Sequence, residues 1–179
     1  EYGISEMNWR NNHSVCWAAT ASSIAVLTDN KELIELCTNR FKNTLLPNQM
    51  ADDGSFPLEL KRTKPYGYSL FNIDAFCNVA QILSTPEDNL FDYETADGKS
   101  LKKGLEFIYP FVEDKSKWPF DQDIYIWEKW PVCHPALLFS ALAYKNQKYL
   151  DTYLTLPAYP IDSEVIRNLP VRHPIIWLL

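Results

Sequence analysis

The chain has 179 residues, 46% apolar and 14% aromatic, enough for the core of one domain (1–179) and far from a disordered composition. A net charge of −6 argues against a nucleic-acid binder, which needs a basic face. No apolar run reaches membrane-spanning length, so no membrane partner is expected.

Small residues at Ala18, Ala19, Ala21, Ser22 and Ala25 predict a close-packing helix from about Ser14 to Thr28, broken by Asp29-Asn30. Leu33, Ile34, Cys37 and Phe41 predict a second helix from Lys31 to Leu45, ended by Pro47. Asp53-Gly54 reads as a turn, and Phe56 to Leu60 as a short extended piece. Pro65 and Gly67 read as breakers before a third helix, Tyr68 to Leu83, with Phe71, Ala75, Phe76, Val79 and Ala80 at helical spacing. Ser100 sits where an N-cap belongs for a fourth, running to Val112. Asp114 to Trp130 is an aromatic, charged loop. A fifth helix starts near Pro135 and reaches Tyr144, shorter ones follow at Lys148–Leu154 and Ser163–Asn168, and the chain ends apolar over Ile175–Leu179. Without a strand ladder or strict repeat, helices joined by corners predict an all-α toroid or array.

The four cysteines show no C-x-x-C pairing and read as buried free thiols, which leaves the compartment open. The chain starts at Glu1 without Met or leader, which suits a processed or truncated protein. Three scattered histidines without H-E-x-x-H give no zinc pattern, and no cofactor is expected. Asn12-His13-Ser14 matches the glycosylation sequon; a catalytic Asn12 cannot carry a glycan.

Two stretches carry chemistry: Arg10-Asn11-Asn12-His13-Ser14 and Lys61-Arg62-Thr63-Lys64-Pro65-Tyr66-Gly67-Tyr68. If the first three helices run up, down and up, His13 and Tyr68 lie at N-termini on one rim, where free N–H groups and the dipole favour a carboxylate. Amide, imidazole and guanidinium donors there suit the carboxylate of a uronic acid, whose neutralisation would stabilise the enolate-like state formed as the adjacent proton leaves. Tyr68 serves as both base and acid if Arg62 stabilises its phenolate, or His13 takes the proton and Tyr68 supplies the acid. The bland readings are a cap for Asn11-Asn12-His13, a solvated basic turn for Lys61, Arg62 and Lys64, and packing for Tyr66 and Tyr68.

Asn11-Asn12-His13, then Asp52-Asp53-Gly54-Ser55-Phe56-Pro57-Leu58-Glu59-Leu60-Lys61-Arg62-Thr63, then Tyr66-Gly67-Tyr68-Ser69-Leu70-Phe71-Asn72, resembles the alginate-lyase-like superfamily of polysaccharide lyases, closest to its glucuronan and alginate lyase branch (family 38). Trp130-Pro131 through His134-Pro135-Ala136-Leu137-Leu138-Phe139 is similar to a later segment of the same family. The resemblance implies an (α/α) toroid, of which this chain looks like the C-terminal half, and metal-independent β-elimination on a 1,4-linked uronan. It implies Asn12, His13, Arg62 and Tyr68 as catalytic, with Tyr66 a substitute for Tyr68. Asn11, Lys64, Tyr66, His134 and Trp130 are then expected to contact an anionic polysaccharide, His134 and Trp130 having structural readings beside that one. The implied partners are the uronan and the missing N-terminal half, and the implied location is periplasmic or secreted. The competing reading is a non-catalytic carbohydrate-binding or scaffold domain with the same fold.

Overall fold

The computed structural model describes residues 2–178, so the last residue of the apolar end, Leu179, lies outside the described residues. Among the described residues the chain is helical, with one isolated antiparallel bridge between Glu94 and Ser100. The helices are α1 (Tyr2–Met7), α2 (Asn12–Leu27), α3 (Lys31–Arg40), α4 (Leu46–Gln49), α5 (Pro57–Leu60), α6 (Pro65–Leu83), α7 (Leu101–Glu113), α8 (Pro135–Ala143), α9 (Gln147–Thr155) and α10 (Ser163–Arg167).

Helix α6 is the hub. Fifteen of its 19 residues are buried, because it is apolar or small on nearly every face and packs against α2, α5, α7 and α8. The core grows from it: Phe76 meets Phe41 edge-on at 5.8 Å and stacks on Phe56 at 5.7 Å. Leu101, Leu105, Ile108 and Val112 of α7, spaced by three or four residues, close one side. Helices α8 and α9 close another. Small side chains on α2 (Ala18, Ala19, Ala21, Ser22, Ala25) let it lie close against α6. Cys16 borders a cavity with Phe71, and Ser23 borders the next with Asn78, so α2 and α6 run in the same direction. Their N-termini therefore share one end of the molecule, as the up, down, up reading expects.

Three boundaries differ from the sequence reading. Helix α3 ends at Arg40 and continues through a π turn, Phe41–Leu45, in which the Leu46 amide donates five residues back to Phe41. The reason is Pro47, which has no N–H and crowds the carbonyl four residues behind it. Residues 57–60 are a helical turn rather than an extended piece: Pro57 takes the first position and the amides of Glu59 and Leu60 donate to the Phe56 carbonyl. Pro65 begins α6 instead of delaying it, and Gly67 sits inside its first turn. A Cβ on Gly67 would lie 2.8 Å from both Asp123 Oδ2 and Trp130 Nε1, so the glycine makes room for the loop packed against that turn.

Candidate active site

The start of α2 faces two ways. The Asn11 side chain caps the helix, accepting from the His13 amide at 3.2 Å. Asn12 turns inward and is 4% exposed. Its backbone N–H donates to Glu59 Oε1 at 2.7 Å and its Nδ2 to Glu59 Oε2 at 2.8 Å. His13 points outward, stacked on Trp9 at 4.9 Å, with Nδ1 2.6 Å from Glu6 Oε2 on α1. That contact occupies one ring nitrogen and leaves Nε2 to meet a ligand.

The second wall comes from the turn between α5 and α6. The Arg62 guanidinium lies over the Tyr68 ring at 4.2 Å and 3.9 Å from Glu59 Oε2. The Lys64 ammonium lies 5.0 Å from the same ring. A third contribution comes from α10, where Glu164 ties Lys64 to Arg167 and brings Arg167 beside Tyr68. The two cations, Arg167 foremost, hold the Glu164 carboxyl down to about 2, so it is charged at any working pH.

These segments enclose an open cleft of about 520 Å³, lined among others by Asn12, His13, Arg62, Tyr68, Trp17 and Arg167. All four residues assigned chemistry by the resemblance thus border one space. Cys16 borders it as well. Burial, then the nearby Glu59 and Glu6, pushes its thiol up to about 12, so it stays protonated and is no nucleophile. All four cysteines are free, as expected; three are buried and Cys16 is half-buried.

Several expected substrate contacts do not reach the cleft. Tyr66 is fully buried: its hydroxyl donates to the Phe111 carbonyl at 2.9 Å and its ring meets Trp118 and Trp127 edge-on. Burial, with Asp123 adding to it, pushes its phenol well above the ordinary value, so it cannot replace Tyr68. His134 is 2% exposed and contacts Asp74 Oδ2 at 2.7 Å, while Asp74 Oδ1 accepts from the Ala136 amide; the pair locks α8 onto α6. Trp130 is buried against His134, under the first turn of α6. Asn11 is spent as a cap, and Lys64 is held by Glu164. For His134 the structural reading is the one observed.

The expectation that free helix-end amides would bind the ligand is also corrected. At α6 the amides of Tyr66 and Gly67 donate at 2.9 Å to Asp123 Oδ1 and Oδ2, and that of Tyr68 to the Lys64 carbonyl. At α2 the first amide donates to Glu59 and the second to Asn11. The protein's own carboxylates fill both anion positions, so a ligand carboxylate must be met by side chains. Burial pushes both of these carboxyls up, although the amide donors oppose it. Sequence reasoning passed over Glu59, Asp123, Glu6 and Arg167. Only Glu59 had an available signal, an acidic residue within the motif run.

The family model for alginate lyases matches residues 1–118, a span that includes Asn12, His13, Glu59, Arg62 and Tyr68. No curated protein matches the chain. Among solved structures it is similar to an alginate lyase from Bacteroides ovatus, with a TM-score of 0.73 and 25% identity over 94% of this chain and 44% of that one. The chain spans less than half the length of that relative, and its helical array is consistent with part of a toroid.

Proposed function

This chain belongs to the alginate lyase family, and on that premise we propose that it contributes the catalytic wall of a lyase that cleaves a 1,4-linked uronan, alginate or glucuronan, by β-elimination without a metal. The observation that carries the reading is the convergence of Asn12, His13, Arg62 and Tyr68 on one cleft.

In this reading Arg62 and the Asn12 amide meet the uronate carboxylate and spread the charge that develops when C5 loses its proton. The Glu6–His13 contact supports His13 as the base. With the Nδ1 proton directed at Glu6, the Nε2 lone pair is free to take the C5 proton. The electron pair left on C5 forms the C4–C5 double bond as the C4–O bond breaks. The departing oxygen takes a proton from the Tyr68 hydroxyl. No water is consumed, and the products are a new non-reducing end carrying the double bond and an ordinary reducing end. The Arg62 and Lys64 charges over the Tyr68 ring stabilise the phenolate that remains. Proton transfer from Nε2 to the phenolate restores both groups.

The test is incubation of the full-length protein with alginate, with glucuronan and with other uronans. Ultraviolet absorbance of an unsaturated uronate is expected, and its loss in Tyr68→Phe. Saturated reducing ends on their own indicate a hydrolase. Binding that survives in every variant without turnover indicates a carbohydrate-binding scaffold.

A further inference from the structure

Of the buried acids that chemistry leaves unused, Glu59 is the one bonded to residues that line the cleft. Glu59 is 1% exposed, yet its partners are Asn12 and Arg62, both of which line the cleft. A carboxylate removed from water in this way is costly unless its oxygens are matched by donors. Glu59 is matched only by the site. Oε1 accepts from the Asn12 backbone, while Oε2 accepts from the Asn12 side chain and faces Arg62 at 3.9 Å.

We infer that Glu59 is the positioning residue of the site, fixing the Asn12 carboxamide and drawing the Arg62 guanidinium toward it so that both are in place before substrate arrives. The inference rests on the lyase reading for its kinetic consequence but not for its geometry. An asparagine side chain has two orientations of nearly equal shape. Two acceptor oxygens on one rigid carboxylate select the orientation with Nδ2 toward Glu59, leaving the second Nδ2 proton and Oδ1 for other partners. Because the same carboxylate accepts the first amide of α2, it also fixes where that helix begins relative to α5. Its position is itself rigid, since α5 is a single turn set by Pro57 and packed on α6.

The arrangement carries a pH signature. The groups facing Glu59 are Arg62 from its own turn, with Asn12, His13 and Cys16 from α2, while Glu6 of α1 lies beyond His13. Burial raises the Glu59 carboxyl above its ordinary value of 4.5, against the pull of Asn12, Arg62 and His13. Protonation therefore sets in at a higher pH than for an ordinary glutamate and replaces an acceptor with a donor facing Asn12.

The experiment uses the full-length protein and its Glu59→Gln and Glu59→Asp variants. Two readouts are independent. First, the Asn12 side-chain amide signals, assigned by nuclear magnetic resonance, are expected to move with the Glu59 carboxyl on acidification and to be displaced in E59Q. Second, kcat/KM on the uronan that the protein cleaves is expected to fall at least about tenfold in E59Q, as for groups that orient a catalytic partner, with the acid limb of the pH profile altered. E59D, which keeps the charge, is expected to recover part of the rate. A folded E59Q with unmoved Asn12 signals, or with wild-type kcat/KM and an unchanged acid limb, overturns the inference. If E59Q does not fold, the wild-type titration decides, and Asn12 signals indifferent to Glu59 protonation overturn it. A wild-type protein that releases no unsaturated product defeats the lyase reading instead, and the amide signals still decide the positioning.

Discussion

Two tyrosines two residues apart show how far residue identity carries. Tyr66 and Tyr68 are alike in sequence, and the motif run assigns catalysis to Tyr68 while leaving Tyr66 as its substitute. Helical geometry separates them by about 200° around the axis, so one turns to the aromatic loop and the other to the cleft. Their phenylalanine variants should therefore fail differently. Tyr66→Phe removes the donor to the Phe111 carbonyl and leaves a buried acceptor unmet, a loss of about 1–2 kcal/mol in denaturant unfolding, with turnover of the folded protein unchanged. Tyr68→Phe should leave the unfolding midpoint nearly in place and lower kcat by about 10²–10⁴-fold, the span of a lost general acid. A Tyr66→Phe protein that is fully stable but inactive would reverse the assignment. That Asn12, His13, Arg62 and Tyr68 belong together was legible because they lie in compact motif runs, and they line one cleft. Glu59 was in the same run but its partner is 47 residues away, and neither spacing nor composition reports a contact at that separation.

At the scale of elements, helical periodicity located the long helices, because each buries a face at regular spacing. Short pieces escaped it: α1 and α5 are too brief to show a period, and α5 supplies Glu59 just as α1 supplies Glu6. The start of α6 was misplaced for a related reason. Pro65 and Gly67 break helices in an interior, but at a first turn the proline is preorganised and the glycine admits Asp123 and Trp130. Gly67→Ala tests that packing. Its Cβ would collide with the Asp123 carboxylate that caps the helix and with the rigid Trp130 ring, so a loss of about 1–3 kcal/mol is expected. Turnover should also fall, because Tyr68 is the next residue; a protein as stable as wild type would show that the loop yields without cost. Helix α10 depends on charge instead. Glu164, held at about 2 against an ordinary 4.5, binds fewer protons when folded than when unfolded. Its stabilisation is present above about pH 5 and lost as pH falls toward 2. Urea melts of wild type and Glu164→Gln should accordingly differ at neutral pH and converge on acidification. A gap that widens in acid would contradict the Lys64–Glu164–Arg167 tie.

The whole molecule brings together pieces that lie far apart in the chain. Glu6 on α1, Asn12 and His13 on α2, Arg62 and Tyr68 around the start of α6, and Arg167 on α10 meet at one end because α2 and α6 run parallel, and because Lys64 reaches Glu164 across 100 residues. The family match ends at residue 118, so the α10 wall lies outside it while the other walls of the cleft lie within it. A uronate seated between α2, α6 and α10 has contacts to lose when any of the three detaches, so binding should stabilise the assembly rather than one segment. At a hundred times its Kd a ligand specific for the folded state contributes about 2.7 kcal/mol. For a chain of this size that is a rise in Tm of roughly 5–10 °C. The Tyr68→Phe protein is the suitable subject, since it is expected to bind an oligo-uronate while turning it over slowly. Hydrogen exchange should slow in α10 together with the first turns of α2 and α6, and a neutral oligosaccharide of the same length should do neither. Protection confined to α2 and α6 would mean that the α10 wall stands beside the bound sugar without touching it, and Arg167→Ala would then leave the Tm shift intact.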